Sequence, residues 1–287
     1  MDDRSLLSRI RDIIGTENTL DDCAVFPCGD AFMVATTDML HETTDFPAGM
    51  TDWQCGWMSV AVTLSDIASM GAVPQYILIA VGLDRWQRLR PLMQGARACC
   101  DACGGTIVGG DIDRHGELTV VTSGLGTVAR DRIVRRRGSV IGDLVCVTGT
   151  LGSAQAALEG HTEFLQHLLE PQPRVREGQL LAAGGASSMM DISDGLALSL
   201  YDMLEANPAI GYAIDTHNLP RAPGIPEPMA TALALYGAGD FELLFTIAAE
   251  KFPVPGVGAM AVGKVVSGHS VVADGAALEK RGYQHRW

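Results

Sequence analysis

The side chains in this sequence most able to do chemistry are a series of aspartates with hydroxyls and glycines beside them. Asp22 closes an Asp-Asp pair ahead of an apolar stretch, Asp38 ends Thr36-Thr37-Asp38, and Asp66 lies inside "VAVTLSDIASM". Asp111 follows Gly109-Gly110, and Asp191 and Asp194 flank Ser193 in "MMDISDGLAL". Singly, such residues cap helices or shape turns. Together they set acids and hydroxyls against glycines or at strand ends, where ligand sites of α/β folds form. Asp66 fits the bland account least, because a carboxylate in so apolar a helix is costly unless paired or bound to a cation. Oxygen-rich sets of Asp and Thr suit Mg2+, which takes a few carboxylates with phosphate oxygens and waters. These acids point to a nucleotide bound through metal ions.

Two better-known motifs come close and fail. "GAMAVGKV" (258–265) lacks the hydroxyl of a phosphate-binding loop, since Val265 stands in its place, and β-rich sequence follows where a helix is required. "HETTD" (41–45) ends in Asp45 instead of the second histidine of a zinc protease, and it trails a strand. Cys99, Cys100 and Cys103 offer one C-x-x-C in a helical pattern with no second pair for zinc, so they read as buried thiols.

The elements that must carry these residues follow from periodicity. "DDCAVFPCGDAFMVATTDML" reads as two strands joined at Cys28-Gly29-Asp30, and "TDWQCGWMSVAVTLSDIASMG" as a helix stopped by Gly71. "QYILIAVGL" is a buried strand, Arg85 to Ala102 an amphipathic helix, and "GTIVGGD" and "ELTVVTSGLGTV" are further strands. After the basic segment "RDRIVRRRGSVIGD" the pattern restarts with strand "LVCVTGT", helices, strand "SMMDIS" and helix "DGLALSLYDMLEA". Two domains of mixed α/β (α+β) class are expected, spanning 1–137 and 138–287. The length of 287 residues agrees with two cores better than with one.

Composition narrows the partners. A formal net charge of −13 disfavours nucleic acid and anionic membrane surfaces. No stretch approaches the roughly 20 apolar residues of a membrane span. The start "MDDRSLLSRIRDIIG" has no uninterrupted apolar run, and seven cysteines is an odd count, so reduced thiols and a cytoplasmic location are expected.

"DDCAVF", "TTDML", "VTLSDIASMGA", "IVGGDIDR", "GDLVCVTGTLG", "PRVREGQLL", "MMDISDGLALSL" and "GAGDFELLFT" occur in this order across nearly the whole chain. The series resembles the thiamine-monophosphate kinases, members of the ATP-binding superfamily that includes aminoimidazole ribonucleotide synthetase. The resemblance implies a two-domain synthetase-like fold, a homodimer through the N-terminal sheet, and ATP in a cleft closed by the C-terminal domain. It implies transfer of phosphate from ATP to thiamine monophosphate with several Mg2+ ions. Asp22, Thr36, Thr37, Asp38, Asp66, Asp111, Asp191 and Asp194 fall on metal positions, and Gly110, Asp111, Arg136 and Ser193 where the nucleotide is contacted. Asp45, Gly239 and Trp287 fall on the acceptor side. Asp202 lies outside the matched motifs and is expected to be solvated.

Three positions depart from the family. Leu20 replaces a usual glycine, Asp45 a common histidine and Gly239 a frequent glutamate. Two of them lie on the acceptor side, while the metal set is intact. The alternatives are a sibling enzyme with another small substrate and a non-catalytic nucleotide-binding dimer. For the kinase reaction the nucleophile is already an anionic phosphate oxygen. Repulsion between anions is then the obstacle, and no general base is demanded.

Overall fold

The computed structural model describes residues 3–285. The first part runs α1 (Asp3–Ile14), β1 (Ala24–Cys28), β2 (Ala31–His41), α2 (Asp52–Ser69), β3 (Val73–Leu83), α3 (Leu89–Cys103), β4 (Thr106–Arg114) and β5 (Thr119–Ala129). Residues 130–143 lead to the second part. It comprises β6 (Leu144–Thr148), α4 (Ser153–Leu158), α5 (Leu165–Leu169), α6 (Val175–Gly184), β7 (Ser188–Ile192), α7 (Leu196–Ala206) and β8 (Ile210–Ile214). It ends with α8 (Met229–Tyr236), β9 (Glu242–Ile247), β10 (Ala259–Ser267), β11 (Val271–Ala273) and β12 (Ala276–Ala277).

Two sheets result, the first ordered β1-β2-β5-β3-β4 and the second β12-β11-β8-β10-β6-β9-β7. In the first, only β3 and β4 run parallel. The hairpin turn falls at Gly29-Asp30, as its residues foretold. "GAMAVGKV" lies in β10 from Ala259 onward, in keeping with its rejection as a phosphate loop. Helix α3 begins at Leu89 and not Arg85, because Trp86–Arg88 forms a 3-10 turn first.

Helix α2 is the element on which both parts converge. Thr51 opens it with a capping box, its hydroxyl accepting from the Gln54 amide while the Gln54 side chain accepts from the Thr51 amide. Gly71, at φ +68°, ends it. Between them nearly every residue is buried, because α2 packs on β2 and β5, on α3, and on α6 and β7 of the second part. Its approach to α3 needs glycine: a Cβ at Gly56 would stand 1.9 Å from the Leu92 carbonyl oxygen. Among the described residues, no helix covers the far face of the first sheet. Rows Ala35–Leu125–Tyr76, Thr37–Ser123–Leu78 and Met39–Val121–Ala80 lie on it, and Met39, Tyr76 and Leu78 are exposed there.

Helix α1 buries no residue. Paired charges tie it to α7: Arg4 donates to both carboxylate oxygens of Asp202, at 2.7 and 2.5 Å, and Arg11 to Glu205. Asp202 is therefore not solvated; its partner lies at the other end of the sequence.

Candidate active site

The acids converge where β2, α2, β7 and the segment before β1 meet. Asp66 faces β2, where the Thr36 hydroxyl donates to its Oδ2 at 2.5 Å. Asp38, two residues on along the same face of β2, accepts from the Thr63 hydroxyl at 2.7 Å. Asp191, at the end of edge strand β7, accepts from Ser65 at 2.7 Å. Asp22 accepts from Ser69 at 2.6 Å. Thus α2 contributes one carboxylate and the hydroxyls of Thr63, Ser65 and Ser69, and each hydroxyl steadies a carboxylate from a different element. These hydroxyls are functional candidates that motif reading passed over. Their signal was present: polar residues in a helix too apolar to expose them.

Each carboxylate has at least one oxygen not engaged by these hydroxyls. Asp22, Asp66 and Asp191 can each offer an oxygen such that all three lie within 4.8 Å of one another. Burial raises the proton affinity of Asp66 well above its usual value, and the carboxylates of Asp38, Asp191 and Asp22 raise it further. Burial likewise raises Asp38, and burial with Asp22 brings Asp191 up to about 8. Concentrated negative charge and acceptor-only oxygens are the donor set of a hard divalent cation.

Among the described residues, one cation reaches this cluster. Arg136 donates to Asp22 Oδ1 through Nε at 2.9 Å and through a terminal nitrogen, and its backbone amide donates to Asp21. Arg135 pairs with the other oxygen of Asp21. The basic segment is therefore no solvated linker; it fastens the second part to the Asp21-Asp22 pair. A groove of about 820 Å³ opens beside it, lined among others by Leu20, Arg136, Asp194, Arg4 and Tyr201.

Other sequence candidates are not gathered in. Thr37 is on the far face of the sheet, bonded to the Thr122 carbonyl and Ser123. Asp111 lies in edge strand β4 opposite Ala80, on the same far row as Met39. Two strands separate β4 from β2, which is about 14 Å at the usual strand spacing. Gly110 beside it can only be glycine, since a Cβ would stand 1.7 Å from the Ile79 carbonyl oxygen. Asp194 sits one turn beyond Asp191, 3.6 Å from Arg4, with burial raising its proton affinity. The Ser193 carbonyl accepts from the Gly239 amide, which brings the "GAGD" loop against the β7–α7 turn. Asp45 is held at the end of β2 by the His41 amide. Trp287 lies outside the described residues.

The chain is similar to known proteins along its whole length. Residues 20–128 match the family model "AIR synthase related protein, N-terminal domain". Over the full length of both chains the sequence is 50% identical to the thiamine-monophosphate kinase of Methanospirillum hungatei. It is 38% identical to that of Halobacterium salinarum over 99% of this chain and all of the other. The chain belongs to the thiamine-monophosphate kinase family. A solved structure, AaThiL complexed with AMPPCP and TMP, superposes with a TM-score of 0.92 at 25% identity, covering 99% of this chain and 97% of the other. In this kinase family member, then, the synthetase-like fold expected from the motifs is present with both sheets.

Proposed function

We propose that this chain transfers the γ-phosphoryl group of ATP to thiamine monophosphate, giving thiamine diphosphate and ADP, at the cluster between α2 and β7. The observation that carries the reading is the set of four hydroxyl-steadied carboxylates with a single guanidinium among them. A protein does not gather that much buried negative charge for stability, because unpaired buried charge is strongly destabilising.

Asp22, Asp66 and Asp191, with Asp38 beside them, fit Mg2+ by donor type and by spacing. Bound there, Mg2+ would offset the charge of two phosphate groups that otherwise repel. The chain's own residues do the rest. Thr36, Thr63, Ser65 and Ser69 fix which carboxylate oxygen points inward, so the site is preorganised before substrate arrives. Arg136 supplies a fixed positive charge at the Asp22 side, where a polyphosphate lying in the groove would run. No side chain need take a proton from the acceptor, whose attacking oxygen is already anionic, and transfer is direct without a phospho-enzyme.

The assay is pure protein with ATP, Mg2+ and either thiamine or thiamine monophosphate, with products identified by mass. Equal ADP and thiamine diphosphate should form from the monophosphate alone. ADP formation at the same rate without any thiamine compound would overturn the reading.

We further propose a homodimer through the helix-free face of the first sheet. Its apolar side chains need a cover, and a second copy is the self-complementary one. Asp111 lies on that face, so this acid, remote from its own chain's cluster, would serve at the interface. Light scattering should give twice the chain mass; a monomer at micromolar concentration would remove this assignment.

A further inference from the structure

Asp3 and residues 282–285 meet at one edge of the site. Gly282 runs so close to the β7–α7 turn that a Cβ would stand 2.2 Å from the Asp194 carbonyl oxygen. The next amide, of Tyr283, donates to that same oxygen at 3.0 Å. The His285 amide donates to Asp3 Oδ2 at 2.9 Å, and its Nδ1 lies 3.1 Å from the same atom. On the other side of the ring, His285 Nε2 stands 3.6 Å from Asp45 Oδ1. The Tyr283 ring meets the imidazole edge-on at 5.3 Å.

Asp45 is prepared for this contact. Its Oδ2 is taken by the His41 amide at 2.8 Å and the Thr44 hydroxyl at 2.7 Å, which leaves Oδ1 toward His285. One imidazole thus bridges the first helix, at Asp3, and the loop between β2 and α2, at Asp45. Burial works against its charge, but the two carboxylates outweigh that and raise its proton affinity. Because α1 buries no residue fully, charged contacts of this kind contribute much of what holds it in place.

We propose that His285 is a positioning residue for the acceptor substrate, clasping the C-terminal segment to Asp45 so that the tail closes the acceptor side of the cleft. This rests on the kinase reading, in which Asp45 lies on the acceptor side. The tail contributes backbone and the imidazole bridge; it touches none of Asp22, Asp66 or Asp191 through the contacts described. The clasp therefore governs how well the acceptor is held, and not the transfer step.

Three measurements on the full chain test this. His285→Ala should raise KM for thiamine monophosphate roughly tenfold, the scale of one lost charge-assisted contact, with kcat and the KM for ATP within about twofold. Asp45→Asn should do the same. In ligand-free protein, hydrogen exchange at the Tyr283 and His285 amides should quicken in His285→Ala. An unchanged acceptor KM in His285→Ala overturns the proposal. If the unaltered protein makes no thiamine diphosphate, the kinase reading fails by itself. The clasp is then judged by exchange alone, and unchanged Tyr283 and His285 protection overturns it.

Discussion

Around Arg88 and around Asp66 this protein buries charge in opposite senses. At Arg88 one guanidinium, 3% exposed, is met by Glu42 at 2.8 Å, Asp52 at 2.7 Å and Asp84 at 3.1 Å. Burial works against the Arg88 charge, but the three acids outweigh it and raise its proton affinity. The hydrogen bond from Arg88 in turn lowers that of Glu42. At Asp66 the ratio is inverted: Asp22, Asp38, Asp66 and Asp191 share one nearby guanidinium, and burial with mutual repulsion raises Asp38, Asp66 and Asp191. The first set is completed by the chain itself and ties α3 to the start of α2. The second set lacks positive charge, and only added cations complete it. A buried ion cluster is therefore not a functional signal in itself; the direction of its imbalance is.

The comparison breaks most sharply if the two sets respond alike to neutralisation. Asp66→Asn and Asp191→Asn should each cut turnover by roughly a thousandfold or more, the scale of losing a fixed electrostatic group at a transferring phosphoryl. Thermal melting without metal should not fall, since a repelled carboxylate has been removed. Near-normal turnover in both variants would return these acids to the role of caps and turns.

Arg88→Met should show the reverse. The acids left behind are partly exposed, so losing their charge-assisted hydrogen bonds should cost about 1.5–3 kcal/mol, which urea denaturation would read, while turnover per folded molecule stays within a few-fold. A loss below about 1 kcal/mol would mean that Arg88 is a surface pair in effect.

The pH dependence of stability sharpens the contrast. Asp38, Asp66 and Asp191 have folded proton affinities above the ordinary 3.8, with Asp191 at about 8. Between those values the folded, metal-free protein holds more protons than the unfolded chain, so its stability falls as pH rises through that window. Saturating Mg2+ should flatten the slope by binding the ionised form. Asp240, raised to about 7 by burial at the start of α4, contributes a share that Mg2+ leaves in place. Melting points from about pH 5 to 8.5, with and without Mg2+, measure both parts. A slope unaffected by Mg2+ would detach the cluster from metal.

The smallest effect is expected at Asp202→Asn. It removes the doubly bonded partner of Arg4, whose side chains are 18% and 15% exposed. The amide keeps one acceptor oxygen for Arg4, so the loss should be about 1 kcal/mol, and high salt should change it little because both side chains are mostly buried. Melting at low and high salt checks this. Asp202 is no neutral control for the cluster variants; exposed Asp131 serves that purpose better.

Much of the local architecture was legible from sequence. The hairpin at Gly29-Asp30, α2 and its stop at Gly71, the strands of both parts and the oddity of Asp66 all follow from apolar period, turn residues and the cost of a carboxylate among apolar neighbours. Such features depend on residues within a few positions of each other, so one sequence suffices to specify them. Tertiary structure alone decided the pairings. Which face of β2 carries Thr36 and which Thr37 is decided by strand alternation against α2, and the distance of Asp111 from the cluster is decided by the order β2-β5-β3-β4. The bonds of Ser65 to Asp191, Arg136 to Asp22 and Arg4 to Asp202 join residues 126, 114 and 198 positions apart. The physical reason is that sheet order and helix docking are settled by burial of whole faces at once, and no local spacing encodes which distant side chain a buried carboxylate will meet.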